Sequence, residues 1–197
     1  KLEDSNPFSL FNVNTFIDHE KGHNYHVDIL DSKRALTVTR VFMVDTGRNV
    51  CDGRRGTYGC INRTQAFWMN DHCSRNIFTS SILVTHVPIP EFMYLSNGFE
   101  IEGEMNEDIC CPRRDSFYFD LLKKNNCVQG IFVGHDHVNN FSGIYKDTLL
   151  AYGNKSGSGS YGLRRGARVI DLTHVPSSER VIIDSYLVNI RGNKIQS

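Results

Sequence analysis

The feature that most constrains this chain is a short apolar segment that ends in a glycine and two histidines. Residues 128–133 read Val-Gln-Gly-Ile-Phe-Val and are followed directly by Gly134-His135-Asp136-His137. A run of this length, rich in Val, Ile and Phe, predicts a buried strand that ends at the glycine. The histidines then lie in the loop at the carboxyl end of the strand, where open α/β sheets place their ligand sites.

A second strand is predicted to bring another histidine to this loop. Residues 81–85 form a short apolar run, and His86 follows directly. A helix predicted over residues 115–124, with Asp115 as its cap, separates the two strands, so the connection is long enough for a parallel crossover. If the strands are parallel and close together, the side chains of His86 and His135 meet above the same edge of the sheet.

The rest of the chain alternates between predicted strands and helices. Residues 24–30 and 35–44 predict a hairpin, and Thr64 is predicted to cap a helix over residues 66–71. We also expect a helical turn at residues 91–95 and strands at residues 143–145, 148–152, 167–172 and 181–188. The glycine- and serine-rich stretch 153–162 predicts a flexible loop beside the site rather than a domain boundary. These elements together predict an α/β fold.

The histidines indicate a metal site, with one alternative left open. Neutral imidazole is a common ligand for zinc and iron, and a pair at positions i and i+2 can direct both rings to one region. Such a pair also arises by chance in surface loops, but the preceding strand and the second strand-end histidine favour a metal site. His174 competes with His86, because Thr-His-Val-Pro occurs at both places and local sequence hardly separates them. Asp136 is expected to point away from its flanking histidines and to have a supporting role.

Composition limits the partners. The chain has 22 basic and 22 acidic residues, so bulk electrostatics favour neither nucleic acid nor an anionic membrane. No apolar run approaches the roughly 20 residues that span a bilayer. Six cysteines are present, none in a Cys-x-x-Cys pair, which argues against a structural zinc site. Cys51 and Cys60 form the most plausible disulfide, and the adjacent Cys110 and Cys111 have no predicted partner.

Three glycosylation sequons, at Asn62, Asn140 and Asn154, bear on the compartment. Sequons and cysteines together favour the secretory pathway, with a lysosomal, vacuolar or extracellular destination, and the cytoplasm is the alternative. Asn140 lies three residues after His137, where a glycan would obstruct a ligand. We therefore expect Asn140 to be unmodified and Asn62 and Asn154 to be the glycosylation candidates.

Several motifs carry a resemblance to a known family. The stretch Gly134-His135-Asp136-His137-Val138-Asn139-Asn140-Phe141 is similar to the last metal-binding motif of the calcineurin-like metallophosphoesterases. The purple-acid-phosphatase-like branch of that superfamily has similar motifs in the same order. They lie at residues 41–47 (ending Asp-Thr-Gly), 65–68 (Gln-Ala-Phe-Trp), 85–92 (Thr-His-Val-Pro-Ile-Pro-Glu-Phe), 150–162 (a glycine-rich loop) and 165–169 (the strand after it). The resemblance covers most of the chain from about residue 24 to residue 172.

The resemblance implies a fold, a ligand set and an activity. The fold is a four-layer α/β/β/α sandwich, of which residues 1–197 supply the C-terminal part of a single domain. The ligand before the Pro-x-Pro-Glu segment is His86, which together with His135 binds one metal, while His137 binds the other. Asp136 and Asn139 support these ligands or contact the substrate. The implied activity is that of a phosphatase, a phosphoric ester hydrolase that uses two metal ions (Fe, Zn or Mn) and a metal-bound hydroxide; no residue of the chain is assigned as a certain catalytic group.

The chain departs from the family at its beginning. The family's Gly-Asp-x-His, Gly-Asp-x-x-Asp and Gly-Asn-His-Asp motifs, which supply the bridging aspartate and an asparagine ligand, do not occur in it. We therefore expect the N-terminal half of the phosphoesterase to be a separate polypeptide or sequence outside this chain, and we expect activity only when both halves are together. The alternatives are a phosphodiesterase or nucleotidase on the same fold, and a degenerate scaffold subunit without catalytic activity.

Overall fold

The computed structural model describes residues 16–195 except residues 19–21, 34, 48–49, 52–53, 56–57, 76–79, 113–116, 125, 127, 160, 163 and 178–179. The described strands are β1 (Phe16–Asp18), β2 (Gly22–Leu30), β3 (Thr37–Val44), β4 (Val50–Cys51), β5 (Arg54–Arg55), β6 (Ser80–Thr85), β7 (Gly130–Val133), β8 (Ser142–Tyr145), β9 (Thr148–Tyr152), β10 (Gly166–Val175) and β11 (Arg180–Asn189). The described helices are α1 (Arg63–Arg75), α2 (Glu91–Ser96) and α3 (Phe117–Lys124). The predicted cap Asp115 lies outside the described residues.

A seven-stranded mixed sheet organises the chain. Its strand order is β1-β2-β3-β6-β7-β9-β8. The central strands β3, β6, β7 and β9 are parallel, while β2 and β8 pair antiparallel at the two sides. The predicted β2–β3 hairpin and the predicted parallel crossover from β6 to β7 are both confirmed. Since β6 and β7 are direct neighbours, the residues that follow them lie at the same edge of the sheet.

All three described helices pack against one face of this sheet. Alternate residues of each strand point to that face, and apolar ones among them contact the helices. Phe42 of β3, Leu83 of β6 and Ile131 of β7 are at most 2% exposed. They belong to one buried cluster with helical side chains, among them Ala66, Met69, Phe92, Leu95, Phe119 and Leu122. None of the described helices is long and apolar enough to cross a membrane.

The described residues cover the opposite face of the sheet only in part. The β10–β11 hairpin contributes Ile170 and Ile183, which pack against a small cluster formed by Ile82, Phe132 and Ala151. Beside the hairpin lies an open groove of about 560 Å³, whose lining includes Tyr25, Met43, Val84, His86, Phe132 and Arg168. The described residues thus form a mixed α/β fold with helices, sheet and hairpin as three layers, and the fourth layer of the predicted sandwich stays a prediction.

Helix α1 begins earlier than the sequence predicted. Oδ1 of Asn62 accepts a hydrogen bond from the backbone N–H of Gln65 at 2.8 Å, and Oε1 of Gln65 accepts one from the N–H of Asn62 at 2.8 Å. This reciprocal pair is a capping box, so the predicted cap Thr64 is wrong and lies inside the helix. Nε2 of Gln65 also donates to Oδ1 of Asn24 and to the carbonyl of Asp45, which ties α1 to the end of β3.

The five described cysteines fall into two groups. The predicted disulfide between Cys51 and Cys60 is confirmed, and it closes the loop that leads into α1. Cys73 of α1 is also disulfide-bonded. Cys110 and Cys111, for which the sequence predicted no partner, are free thiols. One of these two thiols lies beside the histidines described next.

Candidate metal centre

His86 and His135 meet at the carboxyl edge of the sheet, as the two strand ends predicted. The N–H of Gly134 donates to the carbonyl of His86 at 3.0 Å, which holds the two strand ends together. Nδ1 of His135 then lies 3.3 Å from Nε2 of His86. The two rings are nearly perpendicular, at 87°, with their centroids 5.2 Å apart. Two imidazole nitrogens that follow different strands therefore lie close together.

The backbone of His135, in the loop that follows β7, has a strained conformation. Its φ is 76°, in the left-handed region that L residues rarely adopt. Such a conformation costs about 1–3 kcal/mol and persists only where the surrounding structure imposes it. The hydrogen bond between Gly134 and His86, directly before this residue, is one such constraint. Strain of this kind clusters at functional sites, which agrees with a functional role for this loop.

His137 lies on the side of the site that faces the glycine-rich loop. Its ring packs against that of Tyr161, with centroids 4.8 Å apart. Gly162, with φ at 140°, passes so close that a Cβ there would lie 2.9 Å from the His137 carbonyl oxygen, so this loop needs a glycine. Nδ1 of His137 is buried and has no hydrogen-bond partner in the part of the chain that the structure describes. A buried nitrogen of this kind is available to a ligand.

The environment of His86 favours the neutral ring. Loss of hydration lowers the pKa of His86, and positive charge on His135 or His137 would lower it further. The carboxylates of Asp136 and Asp45 act in the opposite direction, but they do not offset these effects. Only the neutral ring has a lone pair to offer a metal, so these surroundings suit a ligand.

The distance between the two facing nitrogens fits a shared ion. Nitrogens that bind zinc lie about 2.0–2.1 Å from it, and ligands around zinc are usually tetrahedral. Two nitrogens 3.3 Å apart subtend an angle of about 107° at an ion placed 2.05 Å from each, close to the tetrahedral value. His86 and His135 thus have the spacing of two ligands on one metal.

The sequence did not identify Cys110 as part of this site. Ligand atoms of Cys110, His135 and Asp136 all lie within 4.8 Å of one another. Burial raises the pKa of the Cys110 thiol, while a hydrogen bond from Tyr58 has the smaller, opposite effect. The ring of Tyr58 also packs edge-on against His135, with centroids 4.9 Å apart. Cys110 is distant in sequence from both histidine motifs, and no Cys-x-x-Cys spacing marks it.

Asp136 is a buried anchor. It is 5% exposed, and its Oδ2 accepts hydrogen bonds from the Tyr152 hydroxyl at 2.7 Å and from the Cys110 N–H at 3.1 Å. Burial, and then the negative charge of Asp136, raise the pKa of Tyr152 far above its usual range. Asp136 therefore connects β9 and the loop that carries Cys110 to the loop of residues 134–141, called the histidine loop below. Its role as a support for the metal ligands stays a prediction.

Asn139 and Asn140 hold the acidic loop of residues 97–112 against the histidine loop. Oδ1 of Asn139 accepts from the N–H groups of Asn106 at 2.9 Å and Glu107 at 3.1 Å. Oδ1 of Asn140 accepts from the Glu104 N–H at 2.7 Å. Asn139 is 1% exposed and Asn140 is 5% exposed. These contacts explain why the motif carries two asparagines, while a substrate contact for Asn139 stays a prediction.

Of the other candidate residues, His174 and Asn62 lie in β10 and at the start of α1, while Asn154 lines the same groove as His86. His174, the alternative to His86, lies in β10 and pairs with Val181 of the hairpin. Asn62 caps α1. Nδ2 of Asn154 donates to the carbonyl of Arg164 at 3.1 Å. Glycosylation of Asn62 or Asn154 stays a prediction.

The fold and the site together define an α/β protein in which His86 and His135 meet at the carboxyl edge of a parallel sheet core, in a candidate metal centre. No protein-family model matches the chain. Among curated proteins, it is 30% identical over 188 residues to "Probable inactive purple acid phosphatase 28" of Arabidopsis thaliana, a match that covers 83% of this chain and 47% of that protein. It is 29% identical to "Probable inactive purple acid phosphatase 29" of the same plant, over 75% of this chain and 43% of that protein.

A third relative agrees with these two. The chain is 27% identical to "Probable inactive purple acid phosphatase 14" of Arabidopsis thaliana, over 64% of this chain and 35% of that protein. These three relatives support the purple-acid-phosphatase-like branch of the metallophosphoesterases, the branch that the motifs predicted. The matches extend over less than half the length of each of these relatives.

Proposed function

We propose that this chain is the C-terminal half of a metal-dependent phosphoric ester hydrolase. The observation that carries the proposal is the approach of Nδ1 of His135 to within 3.3 Å of Nε2 of His86. These nitrogens come from the ends of two parallel strands and have the spacing of two ligands on one ion. The family assignment adds the expectation of a two-metal centre that acts on phosphate esters.

In this proposal the histidines of the chain are ligands of a two-metal centre. His86 and His135 hold one ion, and the buried Nδ1 of His137, which lacks a partner among the described residues, is available to the other. The chemistry that such ions supply is activation of a phosphoryl oxygen and of water near neutral pH. Asp136 and Asn139 keep the histidine loop in place through their buried hydrogen bonds. Iron, zinc and manganese all accept imidazole ligands, so we leave the metal open among these three.

We further propose that the missing ligands come from an N-terminal half that packs on the open face of the sheet. Such a site needs oxygen ligands that bridge or complete both ions, and the matched relatives are about twice as long as the matched part of this chain. The groove of about 560 Å³ beside the β10–β11 hairpin is lined by Met43, Val84 and Phe132 on the sheet and reaches His86 at the site. A second sheet placed there would bury these apolar side chains and bring its own ligands to His86.

The proposed compartment is the secretory pathway, with a vacuolar, lysosomal or extracellular destination. The disulfide between Cys51 and Cys60 supports this proposal, because disulfides persist in oxidising compartments and are rare in the cytosol. Glycans on Asn62 or Asn154 would agree with it. Intact mass before and after glycosidase treatment tests the compartment without reference to activity.

The experiment that tests the function measures metal content and hydrolysis on the same material. The protein is purified natively with any polypeptide that accompanies it, each band is sequenced from its N-terminus, and metals are counted by elemental analysis. We expect about two ions per complex and hydrolysis of a simple aryl phosphate. His86→Ala should lose about one ion and most of the activity, while the control His174→Ala should retain both. A lone 22.4 kDa species with full activity contradicts the two-half proposal.

A second candidate function is a metal-binding or scaffold subunit without catalytic activity. The names of the relatives, each of which is called probable inactive, favour this candidate. It predicts one ion or none per complex and no hydrolysis of any phosphomonoester in a substrate panel. The His86→Ala comparison separates the two candidates, because only a hydrolase loses activity together with its metal.

A further inference from the structure

We propose that Cys110 is a metal ligand of this protein, which binds a zinc-class divalent ion through its thiolate together with His135 and Asp136. The ligand atoms of these three residues lie within 4.8 Å of one another. Sulfur, nitrogen and oxygen from cysteine, histidine and aspartate are the three donor types that zinc accepts. The proposal shares His135 with the proposed phosphoesterase centre and in that respect rests on it.

The spacing is close to that of a bound site. Donor atoms around one tetrahedral zinc ion lie about 3.3–3.7 Å apart, as follows from zinc–nitrogen distances of about 2.0 Å and zinc–sulfur distances of about 2.3 Å. Separations in the cluster that approach its 4.8 Å limit must therefore shorten by about 1 Å when an ion binds. Asp136 is already held by the Tyr152 hydroxyl at 2.7 Å, so it offers a fixed point around which the other two can close.

The backbone already holds Cys110 next to these partners. Its N–H donates to Oδ2 of Asp136 at 3.1 Å. The loop before it is attached to the histidine loop by two further contacts, from the Glu107 N–H to Oδ1 of Asn139 at 3.1 Å and from the Val138 N–H to Oε1 of Glu107 at 2.9 Å. A ligand on a loop fastened at several points loses little freedom when it binds an ion, which favours binding.

The neighbouring thiol has a different environment, which makes the choice of cysteine specific. Cys111 is 9% exposed, and its Sγ lies 3.4 Å from the sulfur of Met93 on α2. Cys110 is half-buried and faces His135 and Asp136, and the hydroxyl of Tyr58 hydrogen-bonds to its thiol. The sulfur of Cys110 thus lies within 4.8 Å of the ligand atoms of His135 and Asp136, whereas the sulfur of Cys111 contacts that of Met93.

A thiolate ligand has a chemical consequence for the choice of metal. Soft sulfur favours zinc and other thiophilic ions over manganese and magnesium, which prefer oxygen. When the metal–sulfur bond forms, the proton of the Cys110 thiol leaves to solvent, so binding releases one proton without any change of oxidation state. The proposal therefore places zinc ahead of the harder ions at this position.

Cobalt(II) substitution tests the proposal directly. The complete protein, with any partner polypeptide retained, is stripped of metal by a chelator and titrated with cobalt(II) while absorption is recorded. A cobalt–thiolate bond gives a charge-transfer band in the near ultraviolet, which imidazole and carboxylate ligands do not produce. We expect the band in the parent protein and in Cys111→Ser, its loss in Cys110→Ser and Cys110→Ala, and its disappearance when zinc(II) displaces cobalt(II).

The outcomes separate this proposal from the proposed function. Cobalt(II) binding without the band, a band that survives Cys110→Ser, or Cys110 recovered from native material in a disulfide each overturns the role of Cys110. If the parent protein lacks the band and Cys110→Ser still hydrolyses the aryl phosphate, the role of Cys110 is rejected and the hydrolase proposal is retained. A band in a protein without hydrolytic activity supports Cys110 and rejects the hydrolase. Circular dichroism of each variant verifies that it is folded.

Discussion

Acid should lower the stability of this chain over two separate pH ranges, and His26 accounts for the first. His26 of β2 is 4% exposed, and its ring lies 4.9 Å from that of His72 and 6.1 Å from that of Trp68. Burial, and then the positive charge of Arg40, lower the pKa of His26 from 6.5 to about 4. The nearby carboxylate of Asp28, whose Oδ1 lies 3.2 Å from Nδ1 of His26, raises it by less.

The direction and size of the effect follow from this pKa. Between pH 6.5 and about 4 the unfolded chain binds a proton on His26 and the folded chain does not, so the free energy of unfolding falls as the pH falls. The shift corresponds to at most about 3 kcal/mol, and the loss is complete below pH 4. Asp28 acts at lower pH: burial would raise its pKa, but the bidentate contacts with Arg40 lower it. Its stabilisation is therefore lost only as the pH falls through that lowered pKa.

Urea unfolding at several pH values, followed by the fluorescence of the single tryptophan, measures this dependence. We expect His26→Gln to remove most of the loss of stability between pH 6.5 and 4, because glutamine does not titrate. The control His174→Gln, in the β10–β11 hairpin, should keep the slope of the parent chain. The quantity compared is the change in the free energy of unfolding with pH within each protein, so a general loss of stability in the variant does not affect the comparison. Parallel profiles for the parent and His26→Gln refute the reasoning.

Three further predictions concern the site and its surroundings. Tyr152→Phe removes a 2.7 Å hydrogen bond to the buried carboxylate of Asp136 and should lower the free energy of unfolding by about 1.5–3 kcal/mol in urea titrations; an unchanged midpoint contradicts this. Asn140 is 5% exposed, so glycopeptide mass spectrometry should find it unmodified, and a glycan there argues against the assigned site. Replacing Cys51 and Cys60 by serine opens a short disulfide loop and should lower the free energy of unfolding by about 2–3 kcal/mol, measured by thermal unfolding against the unreduced parent.

The strand order near the site could be read from the sequence because it depends on local patterns. Short apolar runs at residues 81–85 and 128–133 identified β6 and β7, and the length of the connection between them favoured parallel neighbours. The meeting of His86 and His135 followed from that arrangement alone. The cap of α1 was wrong, because several polar residues precede that helix and only the reciprocal contacts of Asn62 and Gln65 decide which one acts.

Contacts between residues far apart in the chain could not be read in this way. Cys110 reaches the histidines because Asn139, Asn140 and Asp136 accept hydrogen bonds from the backbone of the acidic loop, and no periodicity or spacing reports such bonds. The same holds for Tyr161, whose ring covers His137 from the glycine-rich loop. These partners are set by the path of two irregular loops, and the path of a loop depends on what it packs against.

By itself, the sequence determined the α/β class, the β6–β7 crossover and the placement of two histidines at one sheet edge, because hydrophobic periodicity and strand ends are local properties. It also determined the disulfide between Cys51 and Cys60, through the short polar loop that the bond closes. Only the tertiary structure decided that Asp136 is buried beneath the site and that Cys110, rather than Cys111, faces it. The physical reason is that hydrogen bonds between distant loops orient side chains which local sequence leaves free to point either way.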